Sequence, residues 1–210
     1  MSNVSKLIAQ SLLDVKAIKL QPSNPFTWAS GWKSPIYCDN RITLSYPNIR
    51  TLIRDEFVKV VKKEFPDVEI IAGVATGAIA QGALVADSME QPFIYIRSAA
   101  KAHGMENLVE GEVKSGQKVV VIEDLISTGG SSLKAVDALR DAGCEVLGMV
   151  AIFTYGFQTA IENFEKANVK LFTLSDYNAL TELALETKYI NNIQFEALKQ
   201  WRVDPSNWGK

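Results

Sequence analysis

The chain has 210 residues and a formal net charge of −2, and 47% of its residues are hydrophobic and 22% are charged. These values are typical of a globular protein and exclude a disordered or collagen-like chain. Nucleic-acid binding is disfavoured because there is no excess of basic residues, and the 2 cysteines and 1 histidine exclude a thiolate zinc site and a multi-histidine metal centre.

No secretory signal or membrane span is predicted. The first twenty residues carry charged side chains, including Lys6 and Asp14, and contain no uninterrupted apolar stretch. The longest strongly apolar run, residues 146–153, is too short to cross a bilayer. We therefore expect a cytoplasmic protein with no membrane partner.

The N-terminal part of the chain, residues 1–44, is predicted to form one helix followed by an irregular segment. Apolar residues recur at helical spacing from Leu7 to Val15, which indicates the helix. A polar, turn-rich stretch at 21–25 ends it, and residues 21–44 are predicted to form a hood outside the main sheet. A second helix is expected to begin near Ser45, with Pro47 in its first turn.

After Pro66 the sequence alternates between short apolar runs and helical stretches. This alternation predicts an α/β fold with a central, mostly parallel sheet that helices cover on both faces. The chain contains no linker that would separate two domains, so residues 1–210 are predicted to be a single domain. The predicted strands are 69–74, 93–96, 118–122, 146–153 and 169–174, and the predicted helices are 78–87, 131–142, 159–167, 178–188 and 193–201, the last two at the sheet edge.

The strongest functional pattern lies at residues 119–132, where a buried strand is followed by two acids, a turn of small residues and a helix. Ligands of open α/β sheets bind beyond the carboxyl ends of the strands, and the N–H groups and hydroxyls of 127–131 suit a phosphate. Glu123 and Asp124 can accept hydrogen bonds from a vicinal diol, provided that the strand ends there. Gly129 or Gly130 is expected to need a positive φ or to allow close backbone approach.

The alternative interpretation of this pattern is a plain strand-to-helix turn with solvated acids. The full order of residue types, with apolar, acidic and then hydroxyl-bearing and glycine residues, favours the functional interpretation.

A second pattern follows the predicted strand 93–96, where Arg97, Lys101 and His103 are spaced like a cationic clamp. Residues 98–117 carry weak helix and strand signals, which is typical of a mobile lid loop. The alternative is a solvated surface loop with incidental charge. The pattern at 119–132 favours the clamp.

A third pattern lies at residues 26–39 and includes Ser30, Gly31, Ser34, Pro35 and Tyr37. On its own it could be an edge strand in which tryptophans pack.

The pattern at 119–132 resembles the phosphoribosyl pyrophosphate (PRPP) motif of the type I phosphoribosyltransferases. The resemblance implies that Glu123 and Asp124 bind the ribose 2′- and 3′-hydroxyls and that the 127–131 loop binds the 5′-phosphate. The residues that it assigns to PRPP are Arg97, Lys101, His103, Glu123, Asp124, Leu125, Ile126, Ser127, Thr128, Gly129, Gly130 and Ser131.

The hood pattern and the Arg97–His103 pattern are similar to those of the orotate phosphoribosyltransferases. This resemblance implies transfer of ribose 5-phosphate from PRPP to orotate in pyrimidine synthesis, with Lys101 and His103 as catalytic residues. It also implies a Mg²⁺ cofactor held mainly by PRPP, and a homodimer in which the lid crosses the interface. Ser127, Lys33 and Tyr37 are the expected orotate-binding residues.

The chain departs from many relatives at several basic positions. Ala29 and Ser98 stand where many relatives carry lysines, residues 75–76 replace a tyrosine-lysine pair, and Tyr155 occupies the place of an arginine. For this reason Lys33 is the expected counterion of the orotate carboxylate.

Two other functions stay open at this point. A related transferase could act on a purine base, although the hood pattern at 30–37 argues against it. A PRPP-sensing regulator without catalysis would be expected to lack the lid cations and to carry a basic patch, and this chain has the reverse.

Overall fold

The computed structural model describes residues 3–28, 31–98 and 108–209. Its centre is a six-stranded sheet in the order β10-β9-β8-β5-β6-β7, parallel throughout except for β7 at one edge. The strands of this sheet are β5 (Ile70–Val74), β6 (Phe93–Ile96), β7 (Val109–Glu110), β8 (Lys118–Ile126), β9 (Glu145–Thr154) and β10 (Leu171–Asp176). The predicted parallel α/β fold is confirmed.

Helices cover both faces of the sheet because successive residues of each strand point to opposite sides. In β8, for example, Val120 packs into one core and Val121 into the other. The helices are α1 (Asn3–Asp14), α2 (Pro47–Glu64), α3 (Ile79–Met89), α4 (Gly130–Asp141), α5 (Gln158–Lys166), α6 (Tyr177–Glu186) and α7 (Asn192–Val203). The first core also receives α1, α2, α3, α6 and α7, and the second receives α4 and α5.

Strand β8 is longer than the sequence predicted. It continues past residue 122 to Ile126, because Leu125 and Ile126 pair with Phe153 and Thr154 of β9. The acidic pair therefore lies inside the strand and not at its end.

The hood forms outside the main sheet, as predicted. It contains two small antiparallel pairings, β1 (Ile18–Leu20) with β4 (Ile36–Cys38) and β2 (Phe26–Thr27) with β3 (Lys33–Ser34), followed by a 3-10 helix at Asn40–Ser45.

The C-terminal helix α7 anchors the hood. Trp201 is fully buried, its ring lies 5.6 Å from that of Trp28, and its indole N–H donates to the Lys33 carbonyl at 3.2 Å. Burial of so large an aromatic surface stabilises the contact between the hood and α7.

The predicted lid, residues 98–117, is only partly a loop. Val109 is buried in β7, which pairs with the end of β6, and the Arg97 N–H donates to the Leu108 carbonyl at 2.9 Å. The Gly116 N–H donates to the Gly143 carbonyl at 2.8 Å. Residues 109–110 are therefore a strand inside the predicted loop, because β-pairing at the sheet edge, a long-range contact, organises a stretch whose local signals are weak.

Candidate active site

Three loops meet at the end of the sheet where the parallel strands have their carboxyl termini. They are residues 75–77 after β5, residues 97–98 after β6, and the phosphate loop, residues 127–131, after β8. A cavity of about 300 Å³ lies between the first and third of these loops, and both Glu123 and Asp124 line it. The predicted meeting of the acidic pair with the phosphate loop is present in the structure.

Both acids reach this cavity although the strand does not end. The neighbouring strand β5 ends at Val74, and its residue Gly73 pairs with Ile122. Beyond Ile122, β8 therefore faces the 75–77 loop on that side and leaves room for a ligand.

Glu123 is buried, with 5% of its surface exposed, and its two carboxylate oxygens are both bonded. One accepts from the Asp124 N–H at 2.9 Å and the other from the Ser132 hydroxyl at 2.8 Å. Burial, and then the charge of Asp124, raise the pKa of Glu123 well above its usual range. The carboxylate is therefore positioned by two donors in an environment that disfavours its charge.

We predict that Glu123→Gln makes the protein more stable and a poorer user of PRPP. Because the folded chain binds the Glu123 proton more tightly than the unfolded chain, this carboxyl lowers stability as the pH rises through its raised pKa. An uncharged amide, which can donate to Ser132, removes that cost. We expect Tm to rise by ~2–4 °C near neutral pH, equivalent to ~1 kcal/mol, and kcat/KM for PRPP to fall roughly tenfold.

Thermal unfolding between pH 4 and pH 8 checks this prediction. The gain in Tm should disappear at acid pH, where the wild-type carboxyl is protonated in both states. Glu112→Gln, at an exposed position, is the control and should change neither quantity. Equal melting temperatures for wild type and Glu123→Gln at every pH would contradict the argument.

Asp124 is half-buried and has a different environment. The side-chain amide of Asn40 donates to its backbone carbonyl at 2.6 Å, so the hood is fastened directly to this residue. Its carboxylate occupies the space beside Gly77: a Cβ built on that glycine would lie 2.7 Å from Asp124 Oδ1. Gly77 thus provides the room for the carboxylate, a role that its sequence context did not indicate.

The phosphate loop leads into α4, whose first residue is Gly130. Gly129 precedes the helix with a φ of +81°, in the left-handed region that side chains disfavour. Free N–H groups at the start of a helix bind anions. Ser127, Thr128, Gly129 and Ser131 line the cavity together with Leu125. Ile126 is fully buried, and its carbonyl accepts from the Tyr155 N–H, so its side chain is not available to a ligand.

Of the two candidate positions, 129 is the one at which the backbone and the packing require a glycine. A Cβ there would lie 2.7 Å from the Phe164 ring, whereas a Cβ on Gly130 would have only Thr128 Oγ1 nearby, at 4.0 Å. We expect Gly129→Ala to cost ~1–2 kcal/mol from the φ alone, more with the Phe164 contact, and Gly130→Ala to stay within ~0.5 kcal/mol of wild type. Thermal unfolding of both variants checks this, and equal losses would contradict it.

Arg97 lies in a neighbouring cavity of about 510 Å³ that shares Ala75 and Thr76 with the first. Its guanidinium is 3.4 Å from Glu110 Oε1 of β7. The 75–77 loop therefore separates a site with two carboxylates and a phosphate loop from a site with a cation.

The expected orotate-binding residues are spread over two regions. Ser127 lies in the cavity with Asp124. Tyr37 is exposed on β4 of the hood, with its ring 5.6 Å from that of Phe26. Lys33 Nζ donates to Thr27 Oγ1 at 2.9 Å, and its methylene carbons lie beside Gly209, on a different part of the hood. Ser30, Lys101 and His103 lie outside the described residues.

A third cavity, of about 520 Å³, lies beside α6 and α7. Thr128 is the residue of the phosphate loop that lines it, and neither acid of the pair does. This cavity therefore lacks the groups that a ribose diol needs.

Two further observations limit the site. In the ranges 3–28, 31–98 and 108–209, no cluster of histidine, cysteine, aspartate or glutamate could bind a metal ion without other ligands. Over the same ranges, no helix has the length and apolar character that crossing a bilayer demands.

Comparisons with known proteins point to one family. A family model described as the phosphoribosyl transferase domain matches residues 42–186. The chain is 66% identical over 209 residues to an orotate phosphoribosyltransferase of Porphyromonas gingivalis, covering 100% of both chains. It is also similar to the crystal structure of an orotate phosphoribosyltransferase from Aeropyrum pernix, with a TM-score of 0.76, 26% identity, and coverage of 88% of this chain and 99% of that one.

Proposed function

The chain belongs to the orotate phosphoribosyltransferase family, and on that premise we propose that it transfers ribose 5-phosphate from PRPP to orotate, giving orotidine 5′-monophosphate and pyrophosphate. The observation that carries this function is the cavity in which Glu123, Asp124 and the phosphate loop meet, next to the cavity of Arg97. The reaction is a step of pyrimidine synthesis.

The two adjoining cavities match the parts of PRPP. Glu123 and Asp124 accept hydrogen bonds from the ribose 2′- and 3′-hydroxyls, and the phosphate loop donates N–H groups and hydroxyls to the 5′-phosphate. The pyrophosphate lies on the far side of the 75–77 loop, where Arg97 supplies positive charge.

The chemistry needs no nucleophilic residue of the protein. Orotate N1 forms a bond to C1′ and loses its proton to water, while the C1′–O bond to pyrophosphate breaks with its electron pair on oxygen. Positive charge develops on the ribose and negative charge on the leaving group. Catalysis therefore comes from positioning and from cations placed where the negative charge grows.

Lys101 and His103 are the proposed catalytic cations, together with Arg97. They belong to the segment between β6 and β7, and Arg97 and Leu108 fix its two ends at the edge of the pyrophosphate cavity. We also propose that the protein is a homodimer and that this segment acts on the partner's site.

Mg²⁺ is the proposed cofactor. The metal-ligating groups at the site are two adjacent carboxylates, and no further acidic or histidine residue completes a metal cluster in the described residues. This arrangement suits an ion such as Mg²⁺ whose other ligands would come from PRPP and water. Glu123 and Asp124 would contribute to binding it through the ribose hydroxyls. When bound, Mg²⁺ neutralises charge on pyrophosphate as it leaves.

Turnover with different bases tests the proposal. The purified protein, PRPP and Mg²⁺ should deplete orotate, followed by its ultraviolet absorbance, and release pyrophosphate at the same rate. Adenine, hypoxanthine and uracil should give little pyrophosphate. Release with a purine but not with orotate would indicate a purine transferase, and PRPP binding without turnover of any base would indicate a regulator.

A further inference from the structure

We infer that Arg41 binds the carboxylate of orotate and gives the site its preference for a carboxylated pyrimidine. The inference rests on the proposed function. It replaces Lys33, the expectation from the sequence, by a residue of the hood that directly follows Asn40, which contacts Asp124.

The order of the strands determines the side from which the base must approach. Strand β8, which carries the acidic pair, has β5 and β6 on one side and β9 and β10 on the other. The Arg97 cavity lies on the β5 and β6 side. Because an incoming nucleophile attacks C1′ opposite the leaving group, the base lies on the other side, towards β9 and the hood.

The hood is fastened at that position. Asn40 is buried, and its amide donates to the Asp124 carbonyl at 2.6 Å. Arg41 follows it directly in the chain. The backbone of Arg41 is therefore fixed within one residue of a group that touches the diol-binding acid.

The guanidinium of Arg41 is oriented by Asp39. Its Nε and NH2 groups donate to Asp39 Oδ1 and Oδ2 at 2.7 Å and 2.9 Å, in a two-point ion pair. The side chain is 59% exposed, and no described residue accepts from its NH1 group. A guanidinium has five N–H donors in a fixed plane. The ion pair with Asp39 therefore holds the NH1 side of the group in one orientation, and its N–H donors stay available to a second carboxylate.

The charges of neighbouring groups support this position. The hydrogen bond and charge of Asp39 raise the pKa of Arg41, and the charge of Asp124 raises it further. Asp124, the acid to which Asn40 is bonded, is therefore one of the groups whose charge acts on Arg41. The hydrogen bond from Arg41 also lowers the pKa of Asp39, so the ion pair is intact at neutral pH.

The two positions that the sequence pointed to for this contact do not offer a cation at this place. Lys33 Nζ donates to Thr27 Oγ1 across the β2–β3 pairing, and the Cβ and Cγ atoms of Lys33 lie beside Gly209. Tyr155, at the end of β9, is buried among aromatic rings, and burial raises the pKa of its hydroxyl, which stays neutral.

Product binding tests the inference because the carboxylate is the difference between orotidine 5′-monophosphate and uridine 5′-monophosphate. In Arg41→Gln we expect the Kd of the carboxylated nucleotide to rise roughly 10- to 30-fold, while the Kd of uridine 5′-monophosphate changes less than about threefold. Arg41→Lys, a point charge without the fork, should fall between. Calorimetry gives both constants, and KM for orotate should rise in parallel with little change in KM for PRPP.

Arg54→Gln is the matched control, since Arg54 also donates to an adjacent aspartate, Asp55, at 2.7 Å and 2.9 Å, but lies on α2. It should leave both constants unchanged. If Arg41→Gln keeps the wild-type ratio of the two constants, or weakens both nucleotides equally, the inference is overturned. Failure of the wild-type protein to convert orotate would instead overturn the proposed function, so the two failures are distinct.

Discussion

Replacing Lys101 by alanine is expected to lower kcat by roughly 100- to 1,000-fold while the KM for PRPP changes less than about threefold. The reason is that negative charge on pyrophosphate grows as the C1′–O bond breaks, so a cation placed there stabilises the transition state more than bound PRPP. Loss of kcat without a comparable loss of binding is the signature of such an interaction. Steady-state kinetics with saturating orotate measure both constants.

Lys114→Ala is the control for this substitution. Lys114 is exposed and belongs to the same connection between β6 and β8. It lies in the turn before β8, at the amino ends of the parallel strands, whereas the site lies at their carboxyl ends. It should leave kcat unchanged. A large rise in KM for PRPP with normal kcat in Lys101→Ala would mean that the lysine contributes to ground-state binding only.

A mixture of inactive variants extends the same prediction to the proposed homodimer. If Lys101 acts on the partner's site, a dimer with one Lys101→Ala chain and one Asp124→Asn chain has one site with an intact acidic pair and an intact lysine. Mixing and re-forming the dimers should then restore activity. No recovery, with the mixed dimer confirmed by mass spectrometry, would mean that Lys101 acts within its own chain.

Replacing Asp124 by asparagine is expected to lower kcat/KM for PRPP roughly 100-fold. The substitution removes a charge-assisted hydrogen bond, worth ~1.5–3 kcal/mol, and the amide donor of asparagine meets a hydroxyl that had been donating. Stability should change little, because the Asn40 contact goes to the backbone carbonyl and survives. Kinetics at varied PRPP and thermal unfolding check both expectations, and wild-type kcat/KM would contradict the diol assignment.

Gly77→Ala should reproduce part of this effect without touching the acid. The added methyl group would lie within contact of the Asp124 carboxylate, 2.7 Å from Oδ1, so the carboxylate must move away from its position. Asp137→Asn, which changes an exposed aspartate on α4, is the control for the loss of charge in Asp124→Asn and should leave kcat/KM unchanged. Normal PRPP kinetics in Gly77→Ala would show that the carboxylate can move without cost.

The sequence alone determined the layered fold and the centre of the site. Apolar runs such as 118–122 have too few polar residues to face water, so they had to be strands covered on both faces. The acidic pair and the phosphate loop are consecutive in the chain, and a strand, a turn and a helix start bring consecutive residues together by local geometry. For this reason the sequence could predict that Glu123 and Asp124 meet the loop at 127–131, of which Ser127, Thr128, Gly129 and Ser131 line the same cavity.

Contacts between residues far apart in the chain were decided only by the tertiary structure. Pairing with β9 extended β8 to Ile126, and pairing with β6 organised Val109 and Glu110, although neither stretch has strong local signals. No sequence pattern indicated the space that Gly77 leaves for Asp124 or the contact of Asn40 with the same residue. Local spacing predicts which groups leave a strand on the same side, but which distant groups they meet depends on how the packed elements are arranged in three dimensions.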